Sequence, residues 1–136
     1  MVTALKFGLR SLWRRARSGF TLIELLVVLA IIATLLTLAV PRYFQHVERS
    51  KEAVLRENLA TVRDAIDQYH ADVGTWPPTL ESLAEKRYLR AVPTDPITER
   101  SDTWRIVPPP DEESGIYDIH SGAEGTAANG QAYADW

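Results

Sequence analysis

Apolar positions along this chain fall into two regimes, each with its own period. Across residues 20–40 they run almost without a break for 21 positions, interrupted only by Glu24 and three threonines. At helical rise the run measures about 31 Å, the thickness of a hydrocarbon core of about 30 Å. It predicts a membrane-spanning helix in which Thr21, Thr34 and Thr37 bond back to their own turns. Farther on, Phe44, Val47, Val54, Leu55, Leu59, Val62, Ile66, Tyr69 and Val73 recur at a three-four spacing, broken near Lys51. That period predicts an amphipathic continuation of the same helix, its stripe packed on a globular part of the chain. Glu52 and Arg56 are expected to form a favourable i,i+4 ion pair on it. Gly74 is the natural stop, followed by Trp76-Pro77-Pro78.

After Gly74 the pattern shortens. Thr79 is placed to cap a short helix over residues 80–86, with Leu80 and Leu83 facing inward. Two strands are expected at 103–107 and 116–120, separated by "PPPDEESG", which reads as a hairpin loop. The tail, 122–135, is small and polar, an irregular loop closed by Trp136. The chain divides into a basic leader (1–19), a span (20–40) and a water-facing part (41–136) that includes the amphipathic continuation.

Charge gives the span a direction. Lys6, Arg10, Arg14, Arg15 and Arg17 precede it with no acid among residues 1–19, whereas Arg42, Arg49 and Lys51 on the far side are mixed with Glu48 and Glu52. The positive-inside bias puts the N-terminus in the cytoplasm and the residues after Pro41 outside. Without the leader, ten cations face eighteen acids, a net of −8, a poor footprint for nucleic acid. There is no cysteine, so no disulfide framework is available. A secretory signal would have an apolar region of about 7–15 residues ending in an A-x-A-like site. This run is longer and ends in Thr37-Leu38-Ala39. A plain signal anchor fits better but leaves Glu24 unexplained. An acid at a helix centre costs about 2.5–3.5 kcal/mol on insertion scales, and less near an end. A cut between Gly19 and Phe20 would create an α-amine close to Glu24, able to pair with it in the same chain or in a neighbour.

The run Gly19-Phe20-Thr21-Leu22-Ile23-Glu24, behind a basic leader and ahead of a long apolar helix, resembles the class III signal of type IV pilins and type II secretion pseudopilins. The resemblance implies that a membrane aspartyl prepilin peptidase cuts between Gly19 and Phe20 on the cytoplasmic side and methylates the amine of Phe20. It also implies that Glu24 registers each subunit against its neighbour's N-terminus in a helical filament. Pro41 matches the family's proline at the end of the apolar segment, where a missing N–H kinks the helix or loosens a turn. "GTWPPTLESL", "YLRAVPTDP" and "GIYDIHSGAEG" further resemble the major pseudopilins, the general secretion pathway protein G family. The absence of cysteine suits that branch better than type IV pilins, whose C-terminal region is commonly closed by a disulfide.

The implied fold is α+β and pilin-like: a long N-terminal helix, half membrane and half amphipathic, packed on a small antiparallel sheet and a C-terminal loop. The implied role is a structural subunit of the type II secretion pseudopilus, anchored by one pass in the bacterial inner membrane. It would polymerise in the periplasm and help export folded proteins through the outer membrane. The implied partners are other copies of itself in a helical homopolymer, minor pseudopilins, the prepilin peptidase, and an inner-membrane assembly platform whose ATPase, not this chain, uses nucleotide. Two alternatives stand beside it: a type IV pilin or competence-type pseudopilin, and a single-pass anchored binding or enzyme domain with an uncut leader.

The family's C-terminal loop often holds calcium, which takes six to eight oxygens. Here "SGAEGTAANGQAYADW" offers only Glu124, Asn129 and Asp135, and the plainer reading is a loop tied down by Tyr133 and Trp136. Catalytic patterns are weak. His120 and Ser121 are adjacent, so on a strand they would face opposite ways. His46 and His70 lie about 36 Å apart along one helix and cannot share a metal. Asp111, Glu112 and Glu113 follow three prolines and read as a solvated turn. There is no nucleophile-elbow pattern and no glycine-rich phosphate loop.

Overall fold

The computed structural model describes residues 19–111 and 114–136. The leader up to Ser18 and the loop acids Glu112 and Glu113 lie outside the described residues. Element order is α1 (Leu22–Val73), α2 (Leu80–Glu85), β1 (Arg105–Val107), β2 (Asp118–His120) and a closing 3-10 turn (Tyr133–Asp135). The described residues divide into two units, one up to Ala39 and one from Val40 on, and each is described by itself.

In the first unit, α1 opens within the motif. Thr21 is its cap: its hydroxyl accepts the Glu24 N–H at 3.2 Å, and its carbonyl accepts the Leu25 N–H at 3.1 Å. Thr34 and Thr37 donate to Ala30 O and Ala33 O, both at 2.8 Å, as their position in an apolar helix requires. All residues from 19 to 39 are exposed. This is the one helix among the described residues long and apolar enough to cross a membrane. An apolar surface that extends around a whole helix is not stable against water and must be covered by lipid or protein.

In the second unit α1 buries Glu52, Leu55, Leu59, Val62, Ala65, Ile66 and Tyr69. The expected stripe is thus shortened and shifted. Val54 is exposed because it sits about 100° around the helix from Leu55, while Phe44 and Val73, in phase with the buried face, stay 60% and 44% exposed at its two ends. The core joins that face to Leu80 and Leu83 of α2 and to Leu89, Trp104, Ile116 and Ile119. Burying each of the large aliphatic side chains contributes about 1.5–3 kcal/mol. At the C-terminus of α1, Gly74 adopts φ +80° and its N–H returns to His70 O at 2.9 Å, a left-handed stop that glycine makes without strain.

Thr79 caps α2 as expected, accepting the Ser82 N–H at 3.1 Å, and Leu80 and Leu83 face inward. The sheet has two antiparallel strands in the register Arg105–His120, Ile106–Ile119, Val107–Asp118. Each strand is two residues shorter than the sequence pattern suggested, and residues at the missing positions bond to groups outside the two strands. The Trp104 indole donates to Pro93 O at 2.8 Å, Thr98 and Thr103 share a hydroxyl bond of 2.6 Å, and Ile116 N–H goes to Pro77 O at 2.9 Å. The chain leaves β2 through a close approach: a Cβ at Gly122 would lie 1.8 Å from Thr103 O. The result is an α+β domain of one long helix and a small sheet, the architecture expected for a pilin-like chain.

Candidate functional site

The N-terminal motif straddles the start of a helix. Gly19, Phe20 and Thr21 are outside it and Leu22 is its first residue, so the Gly19–Phe20 peptide bond lies in non-helical backbone. Phe20 is 86% exposed, and among the described residues no atom lies within 4 Å of where a Cβ on Gly19 would stand. Glu24 falls in the first turn, where free backbone N–H groups make the helix end positive and favour an anion. Thr21-Leu22-Ile23-Glu24 also has the Thr-x-x-Glu spacing of a capping box, and the threonine half of it is formed. This local role for Glu24 escaped the reading based on membrane cost, although the spacing was in plain view. Pro41 lies inside α1, whose helical course continues through it.

The C-terminal loop is organised by its own backbone and by α1. A bridge between Thr126 and Ala132 closes it, with Ala127 N–H to Gln131 O at 2.8 Å, Gly130 N–H to Ala127 O at 2.9 Å and Tyr133 N–H to Gly125 O at 3.2 Å. Tyr133 and Trp136 are buried and meet edge to face at 5.5 Å, as the plainer expectation for the loop had it. The surface pair foreseen between Glu52 and Arg56 is absent. Glu52 is 6% exposed and turns into the loop, where Oε1 accepts the Ala128 N–H at 2.8 Å and the Tyr133 hydroxyl at 3.2 Å. Arg56 lies over the Trp136 ring, 4.3 Å from its centroid. Burial raises the Tyr133 pKa above the usual phenol value, and the carboxylate of Glu52 raises it further.

Calcium would have to be held by Glu124, Asn129 and Asp135. All three are exposed, and the Asn129 carbonyl oxygen already accepts the Gln131 N–H at 3.0 Å. Among the described residues, no three of the His, Cys, Asp and Glu side chains stand close enough together to hold a metal ion. The donor set does not fit the ion.

The adjacent His120 and Ser121 do face different partners. His120 Nδ1 meets Trp136 O. Ser121 is fully buried and its hydroxyl donates to Asp95 Oδ2 at 2.5 Å, while Asp95 Oδ1 also accepts the Ile97 N–H at 2.8 Å. Asp95 was missed in the sequence because "PTDPIT" reads only as a turn; its partner is 26 positions away. The arrangement pins a loop and leaves the serine out of reach of any substrate. His46 is exposed, and His70 stacks on Trp76 at 3.8 Å. Asp111 is exposed.

Comparison with known proteins fits this geometry. Residues 14–40 match the family model for the prokaryotic N-terminal methylation motif. The chain is 29% identical to the type II secretion system core protein G of Pseudomonas aeruginosa, over 90% of this chain and 97% of that protein. It is also 29% identical to the core protein G of Escherichia coli, over 87% and 90% respectively. The fimbrial protein EcpC of Eikenella corrodens is 38% identical, but over 47% of this chain and 42% of its own length. No solved structure gives a significant match. The chain therefore carries a prokaryotic N-terminal methylation motif and is similar, along about nine-tenths of its length, to the core protein G of type II secretion systems.

Proposed function

We propose that this chain is a structural subunit of a type II secretion pseudopilus and not an enzyme. The observation that carries the reading is an apolar helix exposed on every side and headed by Gly19-Phe20-Thr21-Leu22-Ile23-Glu24. Such a helix is covered by lipid before assembly and by copies of itself afterwards. On this reading residues 1–19 are a leader removed by a prepilin peptidase, 20–40 form the span and later the filament core, and 41–136 form the periplasmic domain. The five leader cations keep the N-terminus in the cytoplasm. Cleavage between Gly19 and Phe20 places an α-amine just before the first turn of α1, and N-methylation keeps that amine cationic. Glu24 then pairs with the amine of a neighbouring subunit, setting the register of a helical homopolymer. Pro41 marks the end of the packed apolar segment. Assembly draws on an inner-membrane platform with its ATPase and on minor pseudopilins, and the growing filament helps move folded proteins toward the outer membrane.

The pilin alternative is supported over less than half of the chain, whereas similarity to core protein G extends along about nine-tenths of it. The test is mass spectrometry of the protein recovered from cells that contain a prepilin peptidase. A chain beginning at N-methylated Phe20 is expected. An intact Met1, or a cut at another bond, would overturn the reading.

A further inference from the structure

We propose that Glu52 and Arg56, one turn apart on α1, form a two-point latch that fastens the C-terminal loop of this chain, so that the loop closes without calcium. The latch takes the two side chains that would otherwise pair with each other and gives each a partner in the tail. Glu52 accepts both the Ala128 N–H and the Tyr133 hydroxyl on a single oxygen. Arg56 covers the face of Trp136, whose carbonyl in turn meets His120 of β2. A carboxylate this far from water is retained only where donors replace its hydration, and a phenol and an amide do so here. A guanidinium over an indole face adds an attraction that strengthens as water is excluded.

Several oxygens of the loop already accept hydrogen bonds from the loop itself. Gly125 O, Ala127 O, Gln131 O and Ala132 O are aimed at the loop's own N–H groups, and the Asn129 carbonyl oxygen is aimed at Gln131 N–H. Calcium needs six to eight oxygens converging on one point. The acidic side chains that would anchor such a set do not gather here: among the described residues no three of the His, Cys, Asp and Glu side chains stand together. The negative charge that draws the loop together comes from α1, and the groups that meet it are donors of the chain itself.

Hydrogen exchange on the full chain in detergent micelles tests the latch. In the parent, exchange across residues 125–136 is expected to be the same in millimolar calcium chloride as in EGTA. Glu52→Gln and Tyr133→Phe are each expected to speed exchange at Ala128 by about tenfold, and calcium is expected to restore neither. The double variant is expected to be no faster than the faster single variant, because the Tyr133 hydroxyl acts on the loop through its bond to Glu52. Should Glu52→Gln unfold the domain, Tyr133→Phe still decides the question, since it removes one oxygen and keeps the ring. Slower exchange in calcium than in EGTA for the parent would overturn the proposal. So would parent-like exchange at Ala128 in a folded Tyr133→Phe.

Discussion

Tyr133 joins ionisation to tail closure through one hydroxyl. Its burial disfavours the phenolate, and the Glu52 carboxylate that accepts its proton at 3.2 Å disfavours it further. The folded-state pKa therefore lies above that of the unfolded chain, which is about 10. Its contribution to stability is complete below that pH and is lost as pH rises through the folded value. The absorbance change of tyrosinate during alkaline titration should show one late-titrating group that disappears in Tyr133→Phe. Subtraction of the variant is needed because Tyr88, donating to Asp72 at 3.0 Å, is also raised. If the lost group titrated with the exposed tyrosines, the bond to Glu52 would not hold in solution. Glu52 also shows where a local rule misleads. The i,i+4 rule describes what two side chains do on an isolated helix, and it lost here to partners 76 and 81 positions away.

At the scale of elements, local signals were sufficient wherever an element is held by its own neighbours in sequence. Thr79 caps α2 with a bond to a residue three positions on, and Leu83 O then accepts both the Tyr88 and Leu89 N–H groups, at 2.8 and 3.1 Å. Thr79→Ala should lower the stability of the domain by about 1 kcal/mol, readable as a lower thermal midpoint in micelles. No loss, beyond the error of the measurement, would mean that α2 is held by Leu83 burial alone. The strands were less legible. Their apolar composition was visible, but their ends were not: the Ile116 N–H goes to Pro77 O and the Trp104 indole to Pro93 O, and no local pattern names either partner. The stripe on α1 was read with the correct period. Its ends were not, because the period does not say how far the rest of the chain reaches along the helix.

For the whole molecule, the question is what covers an apolar helix once it leaves the bilayer. If copies of the same helix do, the Glu24 carboxylate requires a cationic partner inside the packed filament, where an unpaired charge would cost several kcal/mol. Glu24→Ala should then insert normally, since an acid has been removed from an apolar span, yet fail to polymerise. Glu24→Asp should retain partial assembly. Electron microscopy of filaments sheared from cells overexpressing each variant gives the answer. Filaments of Glu24→Ala as abundant as those of the parent would leave Glu24 with only its place in the first turn of α1. The motif was legible in sequence because it is a short linear segment, and residues 14–40 match the N-terminal methylation motif.

What the sequence alone determined are the features set by neighbours a few residues apart: the apolar run that opens α1, the capping threonines, the Gly74 stop and the run from Gly19 to Glu24. The tertiary structure decided which groups meet across the fold: Glu52 with Ala128 and Tyr133, Arg56 with Trp136, and Asp95 with Ser121. The physical reason lies in the range of the forces. Helix period and capping act within one or two turns. A buried polar group, by contrast, must find whatever donor or acceptor the folded chain brings to it, and no local pattern names that partner in advance.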